Sequence, residues 1–134
     1  MWSVVRWLQR KLICVYRSPR AKDGQFYDCL EYFVQRAGTK PIIAMGDFNI
    51  DAHYATAVRR LKAIFASVGA SQQIALPTRC SGITVDHIWT NLFPDSIHAG
   101  VIPSYFSDHS GICLSYKPPI VVPLRAPALS PLQL

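Results

Sequence analysis

The stretch Pro41–Asp51, "PIIAMGDFNID", decides how this chain is read. Its first five residues are an apolar run of strand length, Gly46 punctuates it, and Asp47, Asn49 and Asp51 follow within five residues. A short apolar run bounded by glycine is expected to be a buried strand that ends at Gly46. If extended geometry persists past the glycine, residues two apart project to the same side. Asp47 and Asn49 would then face one site while Phe48 points into packing. A carboxylate so placed can orient or deprotonate water, and an amide can donate to a phosphate oxygen. The alternative is a plain turn, for which Gly, Asp and Asn are common residues. Asp51 reads as a loop or helix-capping residue.

Working outward, "KLICVY" is a second apolar, partly β-branched run, with Tyr16 and Arg17 emerging at its carboxyl end before the loop "RSPR". Between them, Phe26, Cys29, Leu30, Phe33 and Val34 recur at steps of three and four, which predicts a helix over 24–37 closed by Gly38. Val58, Leu61, Ile64, Phe65 and Val68 do the same over 55–68, ahead of Gly69. Residues 83–89 form a third strand, and the alternation of Ile112, Leu114 and Tyr116 a fourth. Strand, helix, strand, helix and two further strands make an α/β or mixed sheet covered by helices. From Pro118 onward the chain holds five of its ten prolines, which predicts an extended or disordered tail over 118–134.

A chain of 134 residues, half of them hydrophobic, suits one domain with a core. Its formal charge is +6, and eleven of the fourteen Lys and Arg precede the midpoint. That balance favours a polyanionic partner, nucleic acid or an anionic surface. Cys14, Cys29, Cys80 and Cys113 form no C-x-x-C pair and read as reduced, buried thiols. Arg6, Arg10 and Lys11 interrupt the apolar N-terminal segment, so it makes neither a signal core nor a membrane span. The expectation is a soluble, intracellular chain, the nucleus included, with no membrane partner.

Acids are scarce, eight in all with Glu31 the sole glutamate, and three of them stand at strand boundaries beside Asn or His. Asp86 lies inside an apolar strand, where a carboxylate is costly to bury without a partner. Its neighbour His87 alternates to the opposite side of the strand, so the expected partner is His109 from the loop "SDHSG". A carboxylate accepting from one imidazole nitrogen fixes the tautomer and raises the basicity of the other nitrogen. Taken alone, "SDHSG" is equally a capping sequence. Together the three clusters match the needs of phosphodiester cleavage: carboxylates for a divalent cation, a group to position water, and donors for charge developing on phosphate.

"PIIAMGDFNID", "PTRCSGITVDHIWTN" and "YFSDHSGI", preceded by "LICVYRSPR", resemble in order and content the endonuclease/exonuclease/phosphatase superfamily. They are most similar to the apurinic-type endonuclease domains of non-LTR retrotransposons. The resemblance implies a DNase I-like sandwich of two mixed β-sheets flanked by helices. It also implies a DNA endonuclease that uses Mg²⁺ or Mn²⁺, without a small-molecule cofactor, to drive water onto a phosphodiester. By that resemblance Asp47 activates the water, and Asn49 and His109 contact the scissile phosphate. Asp86 orients His109, Asp108 coordinates the metal, and Tyr16 contacts phosphate.

The resemblance covers about residues 12–117, leaving 1–11 as a non-matching segment. Family members carry an earlier half with a strand-terminal asparagine and a metal-binding glutamate, and the residues before Leu12 contain neither. The expectation is therefore the C-terminal half of such a domain. Its activity as a nuclease is weighed against a catalytically silent mobile-element remnant or basic nucleic-acid-associating fragment. A phosphatase acting on inositol phosphates or lipids ranks below both.

Overall fold

A computed structural model describes residues 3–7 and 10–119 of the chain. Strands β1 (Ser3–Trp7), β2 (Arg10–Tyr16), β3 (Ile42–Asp47), β4 (Ser71–Gln72) and β5 (Asp86–Thr90) form one sheet in the order β1-β2-β3-β5-β4. Helix α1 (Asp23–Gln35) carries the chain from β2 to its parallel neighbour β3, and α2 (Ala55–Ala66) follows. Strands β6 (Ile97–Ile102) and β7 (Gly111–Tyr116) make a separate antiparallel pair. The protein is thus mixed α/β, with two sheets flanked by helices. Strands β1 and β6 and the two-residue β4 are absent from the sequence reading.

The core lies where the helices meet the larger sheet. Ile13 and Val15 of β2 and Ile42 and Ala44 of β3 project to one face. Phe26, Leu30 and Val34 of α1 and Val58, Leu61 and Phe65 of α2 cover them. Each of these side chains larger than alanine contributes roughly 1.5–3 kcal/mol through removal from water. Ile88, on the opposite face of β5, is also fully buried, where β7 abuts β5. Farther along that face Leu12, Ile43 and Met45 border a cleft of about 290 Å³ closed on its other side by Leu114 and Tyr116.

Two expectations need correction. Strand β3 does not end at Gly46 but runs through it to Asp47. Gly46 sits at φ +140°, and a Cβ there would stand 1.9 Å from the Val15 carbonyl oxygen of the adjacent strand. The glycine is therefore a close-approach residue inside the ladder rather than a terminator. The cysteines are free but not buried: Cys14, Cys80 and Cys113 are exposed and Cys29 is half-buried. Cys14 alternates with the buried Ile13 and Val15, which puts it on the sheet face away from the helices. From residue 120 the proline-rich tail lies outside the described residues.

Candidate active site

Three strands place the site. Tyr16, the last residue of β2, is the register partner of Asp47, the last of β3. Asp47 in turn is the register partner of Asp86, the first residue of β5. One row across the sheet therefore carries a phenol and two carboxylates at the edge where loops emerge. Tyr16 is half exposed there. Burial holds the Asp47 carboxyl above the ordinary carboxylate range; the Asn49 N–H counteracts this, and the neighbouring Asp86 charge adds to it.

His109 enters this row from the loop before β7. Its Nδ1 lies 3.0 Å from Asp86 Oδ2, the pairing expected from strand alternation. With the carboxylate accepting from Nδ1–H, Nε2 is left to act on a reacting group. One ligand atom each from Asp47, Asp86 and His109 lie within 4.8 Å of one another, a grouping able to hold a metal ion. Its donors are two hard carboxylate oxygens and one imidazole nitrogen.

The loop after β3 departs from the extended geometry assumed for it. Asn49 adopts φ +51°, its N–H donates to Asp47 Oδ1 at 2.9 Å, and its Nδ2 donates to the Arg17 carbonyl at 3.1 Å. The chain turns at once after the carboxylate, with the Asp47 side chain closing the turn. The asparagine amide is held by the β2–α1 loop instead of standing parallel to Asp47. Phe48 does point into the core, fully buried and stacked on His87 with ring centroids 4.8 Å apart.

His87 itself is structural. Its Nδ1 accepts from Trp89 Nε1 at 3.2 Å, so Nε2 is the donor, to the Ile50 carbonyl at 2.7 Å and to that of Thr84 at 3.1 Å. Burial pushes its pKa down, consistent with a neutral ring. Asp51 serves the loop, accepting from His53 N and Thr84 N through Oδ1.

Asp108 stands apart from the grouping of Asp47, Asp86 and His109. Its Oδ2 pairs with Arg79 Nη2 at 2.7 Å on an exposed rim, and that hydrogen bond holds its carboxyl below the usual range. Three contributors escaped the sequence reading. Thr78, fully buried, accepts the backbone N–H groups of Val85 and Asp86 through Oγ1, each at 3.1 Å, and so fixes the start of β5. Arg79 bridges to His109 through the backbone and neutralises Asp108. Arg17, paired with Asp23 and reaching the Asn49 carbonyl at 3.4 Å, clamps the turn after β3. Their only sequence signal is membership of the polar stretches "PTR" and "YRS".

The sequence model of the Endonuclease/Exonuclease/phosphatase family matches residues 4–109, a span that ends on His109. The chain belongs to that family. Solved structures of the same fold include the endonuclease domain of TRAS1, a telomere-specific non-LTR retrotransposon. Its TM-score is 0.67 at 17% identity, covering 84% of this chain and 65% of that one. CdtB, described as the biologically active subunit of cytolethal distending toxin, gives 0.58 at 14% identity over 87% and 51% of the two chains. The cytolethal distending toxin of Actinobacillus actinomycetemcomitans gives 0.62 at 15%, over 86% and 52%. These likenesses establish the DNase I-like fold, and the chain spans from about half to two thirds of the length of those structures. No curated protein sequence matches the chain significantly. Among the described residues of this family member, no helix is long and apolar enough to cross a membrane.

Proposed function

We propose that the chain carries the phosphodiester-cleaving half-site of a retrotransposon-type DNA endonuclease. The observation that carries this reading is the convergence of Asp47, Asp86 and His109 at one sheet edge. The basic balance of the sequence suits a polyanionic substrate.

In this reading Asp47 takes the proton of the attacking water. A carboxylate whose pKa is raised by burial is the stronger base, as the role requires. His109, held through Nδ1 by Asp86, presents Nε2 to the phosphate and stabilises charge growing on its oxygens. Tyr16, beside Asp47 in the row, supplies a further donor toward the phosphate, and the second Nδ2 hydrogen of Asn49, whose first goes to the Arg17 carbonyl, supplies another.

The carboxylates of Asp47 and Asp86 fit a hard divalent cation such as Mg²⁺ or Mn²⁺, with Asp108 a further carboxylate on the rim. When bound, the cation supplies positive charge against that developing on the phosphate and leaving oxygen. One observation favours a second reading, a nucleic-acid-binding fragment without cleavage: Asp108 is already neutralised by Arg79.

Nicking of supercoiled plasmid by the purified chain separates the two. Cleavage that appears with Mg²⁺ or Mn²⁺, disappears with EDTA and is lost in Asp47→Asn supports the nuclease. Salt-sensitive DNA binding with no metal-dependent nicking supports the silent fragment.

A further inference from the structure

The loop between β6 and β7 carries two adjacent aromatic residues almost wholly in water: Tyr105 is 99% and Phe106 96% exposed. Large aromatic side chains are seldom left so bare, and a bare pair marks a surface that meets something. Their position says what. His109 follows Phe106 by three residues, a reach of at most about 10 Å along the backbone.

The root of this loop is fastened to the active-site framework. Cys80 N donates to the Asp108 carbonyl at 3.1 Å, Ser110 N donates to the Thr78 carbonyl at 2.7 Å, and His109 N donates to Ser107 Oγ at 3.2 Å. The aromatic pair thus projects from a root whose far end holds the group proposed to contact phosphate. About 10 Å is the length of roughly three stacked nucleotides in a single strand.

We propose that Tyr105 and Phe106 form a stacking platform for bases flanking the scissile phosphate, so that the preferred DNA is single-stranded or locally unpaired beside the cleavage point. This rests on the nuclease reading above and names its substrate class. Aromatic faces accept any base, and only bases out of the duplex stack offer a free face. Residues 97–107 contain no Asp or Glu to repel a phosphate backbone, and the adjacent Asp108 is neutralised by Arg79. The same residues contain no Lys or Arg, so the loop itself adds no phosphate contact, and its place three residues from His109 is what favours bases over a lipid surface.

The test is equilibrium binding of the full chain, in EDTA, to a single-stranded oligonucleotide containing 2-aminopurine, whose fluorescence reports stacking. Wild type should change the fluorescence on binding. Tyr105→Ala/Phe106→Ala should bind roughly ten-fold more weakly and lose that change, with an unaltered salt slope because phosphate contacts remain. Exchange of the two rings, Tyr105→Phe/Phe106→Tyr, should restore both, whereas Tyr105→Leu/Phe106→Leu should not. Equal affinity and fluorescence in wild type and the double alanine variant would overturn the platform while leaving DNA binding, and the nuclease reading, intact. Absence of any DNA binding by wild type at low salt would overturn both. Loop-dependent binding to phosphatidylcholine/phosphatidylserine vesicles, with no loop effect on DNA, would transfer the pair to a membrane role.

Discussion

Asp47 and Asp86 stand directly opposite each other across β3 and β5, two carboxylates in one register row, and only Asp86 has a histidine in hydrogen-bonding reach. The Asp86 charge is one of the causes that hold the Asp47 carboxyl high, after burial. A general base works only when deprotonated, so activity falls as pH drops through the Asp47 value, and a raised value puts that fall above the ordinary 3.8. Asp86→Asn keeps the shape and removes the charge, so the acid limb of the pH–rate profile should move to lower pH. An acid limb left in place would show that the Asp86 charge does not act on the titrating group.

The same pair ranks two other substitutions. His109→Ala removes the proposed phosphate contact and should lower nicking by about 10²–10³-fold. Asp86→Asn removes the orientation of His109 and one of the carboxylates that would face the cation but leaves the imidazole in place, and should cost less, about ten- to a hundred-fold. Both variants should retain the wild-type circular dichroism. Single-turnover rates that place the Asp86 loss above that of His109 would reverse the assignment of roles.

Gly46 should be irreplaceable for a backbone reason. With φ at +140° and the Val15 carbonyl 1.9 Å from a built Cβ, alanine can be accommodated only by parting β2 from β3. Gly46→Ala should cost about 3 kcal/mol or more, read as a fall in the denaturation midpoint. It should also disturb the Tyr16–Asp47 row one residue on. A wild-type midpoint would show that the ladder has slack there.

Thr78 acts through Asp86 and is a positioning residue. Its hydroxyl oxygen accepts two buried backbone N–H groups, so Thr78→Val leaves both without that acceptor at similar volume. The expected cost is about 2 kcal/mol. Nicking should fall as well, with Thr78→Ser restoring much of both. Recovery of stability without recovery of nicking would point to a role for the methyl group instead.

These residues also mark what the sequence could convey. The Asp86–His109 pair was legible because burial of a lone carboxylate in an apolar strand demands a partner, and alternation removed His87 from candidacy. Phe48 was legible for the same reason of alternation. Asn49 was not, because its left-handed turn depends on the Arg17 carbonyl, far away in the chain, and no local pattern reports that carbonyl. Thr78 escaped likewise: a threonine in a loop declares a hydroxyl but not which amides will reach it. The β6 strand was hidden because "IHAGVI" breaks apolar alternation with Ala99 and Gly100 on a half-exposed hairpin.

His87 gives a pH signature of stability that is separate from catalysis. It is enclosed between Phe48, the Ile50 and Thr84 carbonyls and the Trp89 indole N–H, and burial lowers its pKa from 6.5. In the unfolded chain the ring takes up a proton near the ordinary value, whereas the native state resists it. The unfolded state therefore binds more protons in this range, and stability rises with pH there. The contribution is complete above about 6.5 and is lost as pH falls from there toward the lowered native value. Urea midpoints measured from pH 8 down to 5 should decline in the wild type. His87→Phe keeps a ring against Phe48 but strands the Trp89 N–H and two carbonyls, so it should be less stable by about 2 kcal/mol at high pH. Its midpoint should fall less steeply below pH 6.5 than that of the wild type. An identical slope in both proteins would mean that another group carries the acid sensitivity.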